Sequence, residues 1–246
     1  MSTYWSAARA PRYSLLFALP LFLLYEALAA GLSGAPGAHV RNAADVALKT
    51  PFLLFAGARG SLAFFATVIA VFAFVVGRDI VRSHEPLRGK TFALMLGESA
   101  VLALLLGIVV GTITQRLLAG LSIVSAQSPG GSTLATMGMD TRLMLALGAG
   151  LYEELLFRVL LVGGMAAGFR WLLGGHPVAS GVASALIGAL IFSAFHYVGE
   201  YGDTFAISSF TYRAIAGLAF SGLYLTRGFG ITSWTHALYD VYVMVI

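Results

Sequence analysis

Seven long apolar stretches restrict what this chain can fold into. Each is close to the ~20 residues that an α-helix needs to cross the hydrocarbon core of a bilayer. They run Ser14–Leu32, Leu62–Val81, Phe92–Leu118, Leu143–Gly168, Val178–Tyr197, Phe205–Thr226 and Ile231–Ile246. Only 11% of the 246 residues are charged, against about 25% in a typical soluble domain, so there is too little charge to cover a water-exposed surface. The sequence predicts an all-α, polytopic membrane helix bundle with about seven to eight transmembrane helices.

Two further segments bear on the number of helices. Val46–Gly57 is apolar but too short to span a bilayer, so we expect an interfacial or re-entrant helix, or part of an eighth span. Ser125–Asp140, with Ser-Pro-Gly-Gly-Ser at its centre, reads as a loop. The first apolar stretch resembles a signal peptide, but it is long for one and contains Glu26, so we expect it to be retained as a membrane helix.

The net charge of +4 is best explained by arginines in the loops, which orient helices and meet anionic lipid. No interleaving of aromatic and basic residues suggests a nucleic-acid groove, so we expect the lipid bilayer, and no nucleic acid, as a partner. The chain has no cysteine, which excludes disulfides, thiolate metal ligands and a cysteine nucleophile.

Three ionisable residues lie in the middle of the fourth apolar stretch. Glu153, Glu154 and Arg158 would each cost about 2.5–3.5 kcal/mol at a helix centre if they were unpaired, so a polar site inside the bundle is expected. On an α-helix, Glu154 and Arg158 share a face and can form an ion pair, whereas Glu153 points about 100° away from Glu154. This arrangement predicts a supporting pair and leaves Glu153 facing a cavity. The alternative is a buried charge network without chemistry.

Two histidines and an aspartate lie in later apolar stretches. His196 is near the end of the fifth, and His236 and Asp240, four residues apart, share a face of the seventh. A carboxylate in a low dielectric can act as a general base, and a histidine can share the water or donate to an oxyanion. Two histidines and a glutamate are also a conceivable zinc set, but no His-Glu-x-x-His signature is present.

These residues form three motifs that resemble those of a known family. Glu153-Glu154-x-x-x-Arg158, Phe192-x-x-x-His196 and His236-x-x-x-Asp240 occur in the order that marks the CPBP family of intramembrane proteases. That family includes the CAAX prenyl endopeptidases and the bacteriocin-processing, or Abi, proteins. The resemblance covers the chain from about Leu143 to its C-terminal end, and the first 140 residues match only as generic membrane helices.

The resemblance implies catalytic roles for four residues. Glu153 with His196 would activate the attacking water, while His236 and Asp240 would hold the scissile carbonyl or stabilise its oxyanion. The best-known members carry Asn at the position of Asp240; because an ionised Asp cannot donate a hydrogen bond, orienting His236 is an alternative role. Glu154 and Arg158 match supporting positions. We prefer a mechanism without a cofactor, the alternative being a divalent metal such as zinc held by Glu153, His196 and His236.

The expectation for the whole chain is one integral membrane domain, residues 1–246, with accessory helices and a loop over 1–140 and catalytic core helices over 141–246. The expected partner is a membrane protein or peptide substrate, lipidated or C-terminally anchored, and the expected location is a bacterial cytoplasmic membrane. Two other functions stay open: a proton-coupled transporter, and a non-catalytic immunity or binding protein. Glu26 and Glu98 either line the cavity or pair with a neighbour, and we favour pairing.

Overall fold

The computed structural model describes residues 3–33, 40–120, 137–172, 175–199 and 202–245. Ten α-helices lie in these ranges, and no strand is found there. They are α1 Tyr4–Arg9, α2 Pro11–Gly31, α3 Ala43–Ala56, α4 Gly60–Ser83, α5 Gly89–Gly120, α6 Met139–Gly148, α7 Gly163–Leu172, α8 Pro177–Phe195, α9 Ile207–Arg227 and α10 Phe229–Met244. A π-helix, Ala149–Val162, joins α6 to α7 without a break, and we call it the π-segment.

The prediction of an all-α bundle is confirmed, since each of the seven apolar stretches overlaps a helix or a continuous run of helices. The largest correction concerns the loop predicted over Ser125–Asp140. Its residues 125–136 lie outside the described ranges, but Met139 and Asp140 belong to α6. The fourth stretch is also locally different from the expectation, because the residues around Glu153 are π-helical rather than α-helical.

Four parts of the chain are long and apolar enough to cross a membrane on length and composition alone. They are Pro11–Gly31, Ala43–Ser83, Gly89–Gly120 and Pro177–Phe195. The remaining three predicted spans contain the motif residues or their neighbours: the run from α6 through α7 carries several charges, α9 is less apolar, and α10 is short. The chain is thus an integral membrane protein, and the count of seven to eight spans stays a prediction.

The segment around Val46–Gly57 forms a helical hairpin. Gly57 has a φ of +54°, a conformation that favours glycine, and the chain then reverses direction. A Cβ atom on Gly60 would lie 2.5 Å from the Cα of Leu53, so the turn also needs glycine at this close approach. The rings of Phe52 and Phe64 are 5.4 Å apart, which shows that α3 folds back along α4. The hairpin packs against α2 and the π-segment, where the motif residues lie.

The last helix, α10, is enclosed by α2, α5, α6 and the π-segment. It begins after Gly228, whose φ is +81°, and most of its residues are buried. A Cβ on Gly150 would lie 2.5 Å from the backbone nitrogen of Ala237, so the missing side chain allows the π-segment to approach α10 closely. This contact brings the third motif close to the first.

Candidate active site

Glu154 and Arg158 form the ion pair that their spacing predicted. Nε of Arg158 lies 3.2 Å from Oε2 of Glu154, and both side chains are almost completely buried. The guanidinium is also 4.3 Å from the ring centre of Phe192 and 5.5 Å from that of Phe220. Two aromatic faces and one carboxylate thus surround a cation that could not remain in an apolar interior by itself.

Glu154 has a second partner that the sequence did not predict. Its Oε1 is 2.7 Å from Nδ1 of His236, a hydrogen-bond distance. Because a carboxylate accepts, Nδ1 carries the proton, and this bond fixes the orientation of the imidazole. The ring of His236 is also stacked on Phe220 at 4.3 Å. Glu154 therefore links the supporting cation Arg158 to a motif histidine.

The other nitrogen of His236 faces two carboxylates. Nε2 lies 4.0 Å from Oε2 of Glu153 and 3.7 Å from Oδ2 of Asp240. Both separations exceed a direct hydrogen bond. In this structure Glu154, and not Asp240, makes the hydrogen bond that orients His236.

His196 lies immediately after the last residue of α8. Its Nδ1 is 2.9 Å from the carbonyl oxygen of Phe192, and since a carbonyl only accepts, Nδ1 carries the proton and Nε2 is left for other partners. The ring of Phe192 meets His196 edge to face at 4.9 Å. His196 and His236 both interact electrostatically with Glu153. The structure therefore brings the three motifs together around Glu153.

One contact at this site involves a residue that sequence analysis missed. Asn42 donates a hydrogen bond of 2.9 Å from Nδ2 to Oε1 of Glu153. Asn42 comes immediately before α3, and 111 positions separate the two residues. The only signal that could have identified Asn42 is its place as a polar residue before a short helix, which marks a cap but not a catalytic contact.

Glu26 and Glu98 are both paired, as favoured from the sequence. Lys49 lies 2.7 Å from Glu26, and Arg227 donates two hydrogen bonds of 2.6 Å to Glu98. Tyr4 also donates to Glu98, and burial together with this carboxylate raises the pKa of Tyr4 to about 12, so the phenol stays protonated. These pairs tie α1, α2 and α3 to the bundle.

The conditional metal ligands do not form a preassembled cluster. Within the ranges that the structure describes, no group of three or more His, Cys, Asp and Glu side chains could hold a metal ion as placed. Zinc ligands lie about 2.0–2.3 Å from the ion, which requires all of them to converge on one point. The set Glu153, His196 and His236 therefore stays a prediction, as does hydrolysis without a cofactor.

Comparison with known proteins agrees with the motifs. Residues 139–242 match the sequence model of the Rce1-like family, described as type II CAAX prenyl endopeptidase, Rce1-like. The matched region contains all three motifs and less than half of the chain. Searches of the curated proteins and of the solved structures found no match. Residues 139–242 are therefore similar to the Rce1-like CAAX prenyl endopeptidases, in agreement with the resemblance that the three motifs indicate.

Proposed function

We propose that this protein is an endopeptidase that hydrolyses a peptide bond of a membrane-associated protein or peptide within the bundle. The observation that carries the proposal is the convergence of Glu153 with His196 and His236, with Nδ1 of each histidine already engaged. Each imidazole therefore has Nε2 left for chemistry. A charge network that served stability alone would not require this uniform orientation.

Glu153 is the proposed general base. Oε1 is occupied by Asn42, so Oε2 is the oxygen left to take a proton from water. We propose that the water lies between this oxygen and His196. The hydroxide formed attacks the scissile carbonyl carbon, the C–N bond then breaks, and the proton held by Glu153 passes to the leaving amine. The products are two peptides, and water is the only co-reactant.

His236 is the proposed oxyanion donor. Three carboxylates lie near its ring, Glu154 at 2.7 Å, Asp240 at 3.7 Å and Glu153 at 4.0 Å, and they attract a positive charge to the imidazole. When both nitrogens are protonated, Nδ1 donates to Glu154 and Nε2 can donate to the developing oxyanion. Asp240 then stabilises the charge on His236 rather than donating to the substrate.

The proposed substrate carries a lipidated or membrane-anchored C-terminal segment. Prenylated CAAX sequences are the substrates that the matched family's description names. An anchor of this kind would hold the peptide at the membrane, close to a site built from α8, α10 and the π-segment. We further propose that the protein resides in a bacterial cytoplasmic membrane.

The test uses purified protein in liposomes with two quenched fluorogenic peptides. One ends in a farnesylated Cys followed by three residues, and the other has the same sequence without the lipid. We expect cleavage of the farnesylated peptide by the wild type and none by Glu153→Gln, with the new terminus located by mass spectrometry. If neither peptide is cut and the liposomes instead conduct protons in a Glu153-dependent way, the transporter alternative replaces this proposal.

A further inference from the structure

The N-terminal helices contribute a side chain to the catalytic carboxylate. Asn42 lies outside residues 139–242, the region that matches the protease family. It is 8% exposed, and its contact with Oε1 of Glu153 is the hydrogen bond of 2.9 Å described above. A hydrogen bond that donates to a buried carboxylate is among the stronger kinds in proteins.

The orientation of the Asn42 amide is determined by α3. Its Oδ1 accepts from the backbone N–H of Ala44 at 2.9 Å and from that of Asp45 at 3.4 Å, so Asn42 is the N-cap of this helix. The oxygen and nitrogen of an amide are assigned from such networks. Since the oxygen must face the helix N–H groups, Nδ2 must face Glu153.

A buried polar network holds α3 in place. Lys49 lies 2.7 Å from both Glu26 and Asp45, and Tyr25 donates to Asp45 at 2.7 Å. Tyr152, the residue immediately before Glu153, donates to Glu26. The network therefore joins α2 and α3 to the π-segment next to the catalytic position.

The approach of Asn42 also depends on a glycine. Gly148 is the last residue of α6, directly before the π-segment. A Cβ atom at this position would lie 3.2 Å from Cβ of Asn42 and 2.5 Å from Cε2 of Tyr25. The absence of a side chain at Gly148 therefore provides the space in which Asn42 and Tyr25 pack against the junction of α6 and the π-segment.

We propose that Asn42 is a positioning residue that locks Oε1 of Glu153 and leaves Oε2 directed at the water. Asn42 touches Glu153 and not the reacting atoms. The inference rests on the proposed function of Glu153 as general base. The proposed active site then extends beyond residues 139–242, because the Asn42 side chain at the start of the α3–α4 hairpin donates a hydrogen bond to Glu153.

The experiment separates the two functions of the Asn42 side chain, which are capping α3 and donating a hydrogen bond to Glu153. Serine is about as good an N-cap as asparagine but is too short to reach Glu153, so Asn42→Ser keeps the cap and removes the donor. Asn42→Asp also keeps the cap and places a second carboxylate against Glu153. Asn42→Ala removes both functions. Each variant is assayed with the farnesylated fluorogenic peptide, and its thermal midpoint is measured in the same detergent.

We expect Asn42→Ser to retain the wild-type thermal midpoint and KM while kcat falls roughly 10- to 100-fold, the effect of losing one hydrogen bond to a charged group. Asn42→Asp should fall further in kcat, and its thermal midpoint should also fall, because it buries a second negative charge against Glu153. A cap-only role predicts the opposite pattern, in which Asn42→Ser has wild-type kcat and only Asn42→Ala is impaired. That pattern would overturn the proposal.

A second readout does not depend on turnover. The carboxylate band of Glu153 is identified by infrared difference spectroscopy between the wild type and Glu153→Gln. We expect this band to shift in Asn42→Ser because its hydrogen-bond donor is gone, and an unshifted band would overturn the role of Asn42. If the wild type cuts neither peptide, the proposed function fails, and the band position still decides whether Asn42 holds Glu153.

Discussion

Replacing Arg158 with alanine leaves the carboxylate of Glu154 buried without its cation. Arg158 is 1% exposed and Glu154 is 0% exposed, so water cannot take over the lost interaction. Removing one partner of a buried ion pair costs about 3–5 kcal/mol. Oε1 of Glu154 keeps its hydrogen bond of 2.7 Å to His236, so we expect the lower end of that range. The lost contacts with the rings of Phe192 and Phe220 add about 1 kcal/mol.

A total near 4 kcal/mol lowers the thermal midpoint of the purified protein by roughly 10 °C, at about 2–4 °C per kcal/mol for a chain of this size. The matched control is the double variant Glu154→Gln/Arg158→Met, which removes both charges and keeps most of the volume. It should be more stable than Arg158→Ala, because no unpaired charge is left. This account of the pair would be refuted if Arg158→Ala melted within ~2 °C of wild type. It would also be refuted if the double variant were less stable than Arg158→Ala.

Three further variants test the packing and the chemistry of the site. Gly150→Ala should lower stability by about 1–3 kcal/mol in thermal unfolding, because its Cβ would lie 2.5 Å from the backbone nitrogen of Ala237; an unchanged midpoint would contradict that contact. His196→Ala should abolish peptide cleavage while the midpoint stays close to wild type, and retained turnover would remove His196 from the mechanism. Asp240→Asn should keep activity within about tenfold, since Oδ2 lies 3.7 Å from His236 and no hydrogen bond to that ring is lost; complete inactivation would show that the negative charge is essential.

The sequence predicted those features that depend on residues close together in the chain. Apolar stretches of about 20 residues predicted helices, and the observed helices α2, α4, α5 and α8 begin and end within a few residues of the predicted limits. The ion pair of Glu154 with Arg158 needed only a four-residue spacing. The second and third motifs were identified by their order along the chain, and their approach to Glu153 required the structure.

The features that could not be predicted depend on which helices pack together. Asn42 and Glu153 are 111 positions apart, and no periodicity in either segment indicates that α3 lies against the π-segment. The bond between Glu154 and His236 likewise joins two helices far apart in sequence. The position of α10 in the bundle also depends on packing, because Gly150 and Gly230 allow close approaches to neighbouring helices, and a hydropathy pattern does not indicate such contacts.

The π-segment has no composition that distinguishes it from an α-helix. Leu151-Tyr152-Glu153-Glu154 would be acceptable on an ordinary helix, and π-helices are rare enough that α is the natural prediction. The prediction that Glu153 and Glu154 face different neighbours nevertheless agrees with the structure. Glu154 contacts Arg158 and His236, whereas Glu153 accepts from Asn42. Adjacent residues on either type of helix point in different directions.

The central claim is that Glu153 activates water for peptide-bond hydrolysis, and a comparison in cells tests it most directly. Wild type and Glu153→Ala are expressed at matched membrane levels, and the C-termini of membrane-anchored proteins are compared by mass spectrometry. The account predicts new C-termini with the wild type that are missing with Glu153→Ala. The same new termini in both samples, at equal abundance, would contradict it.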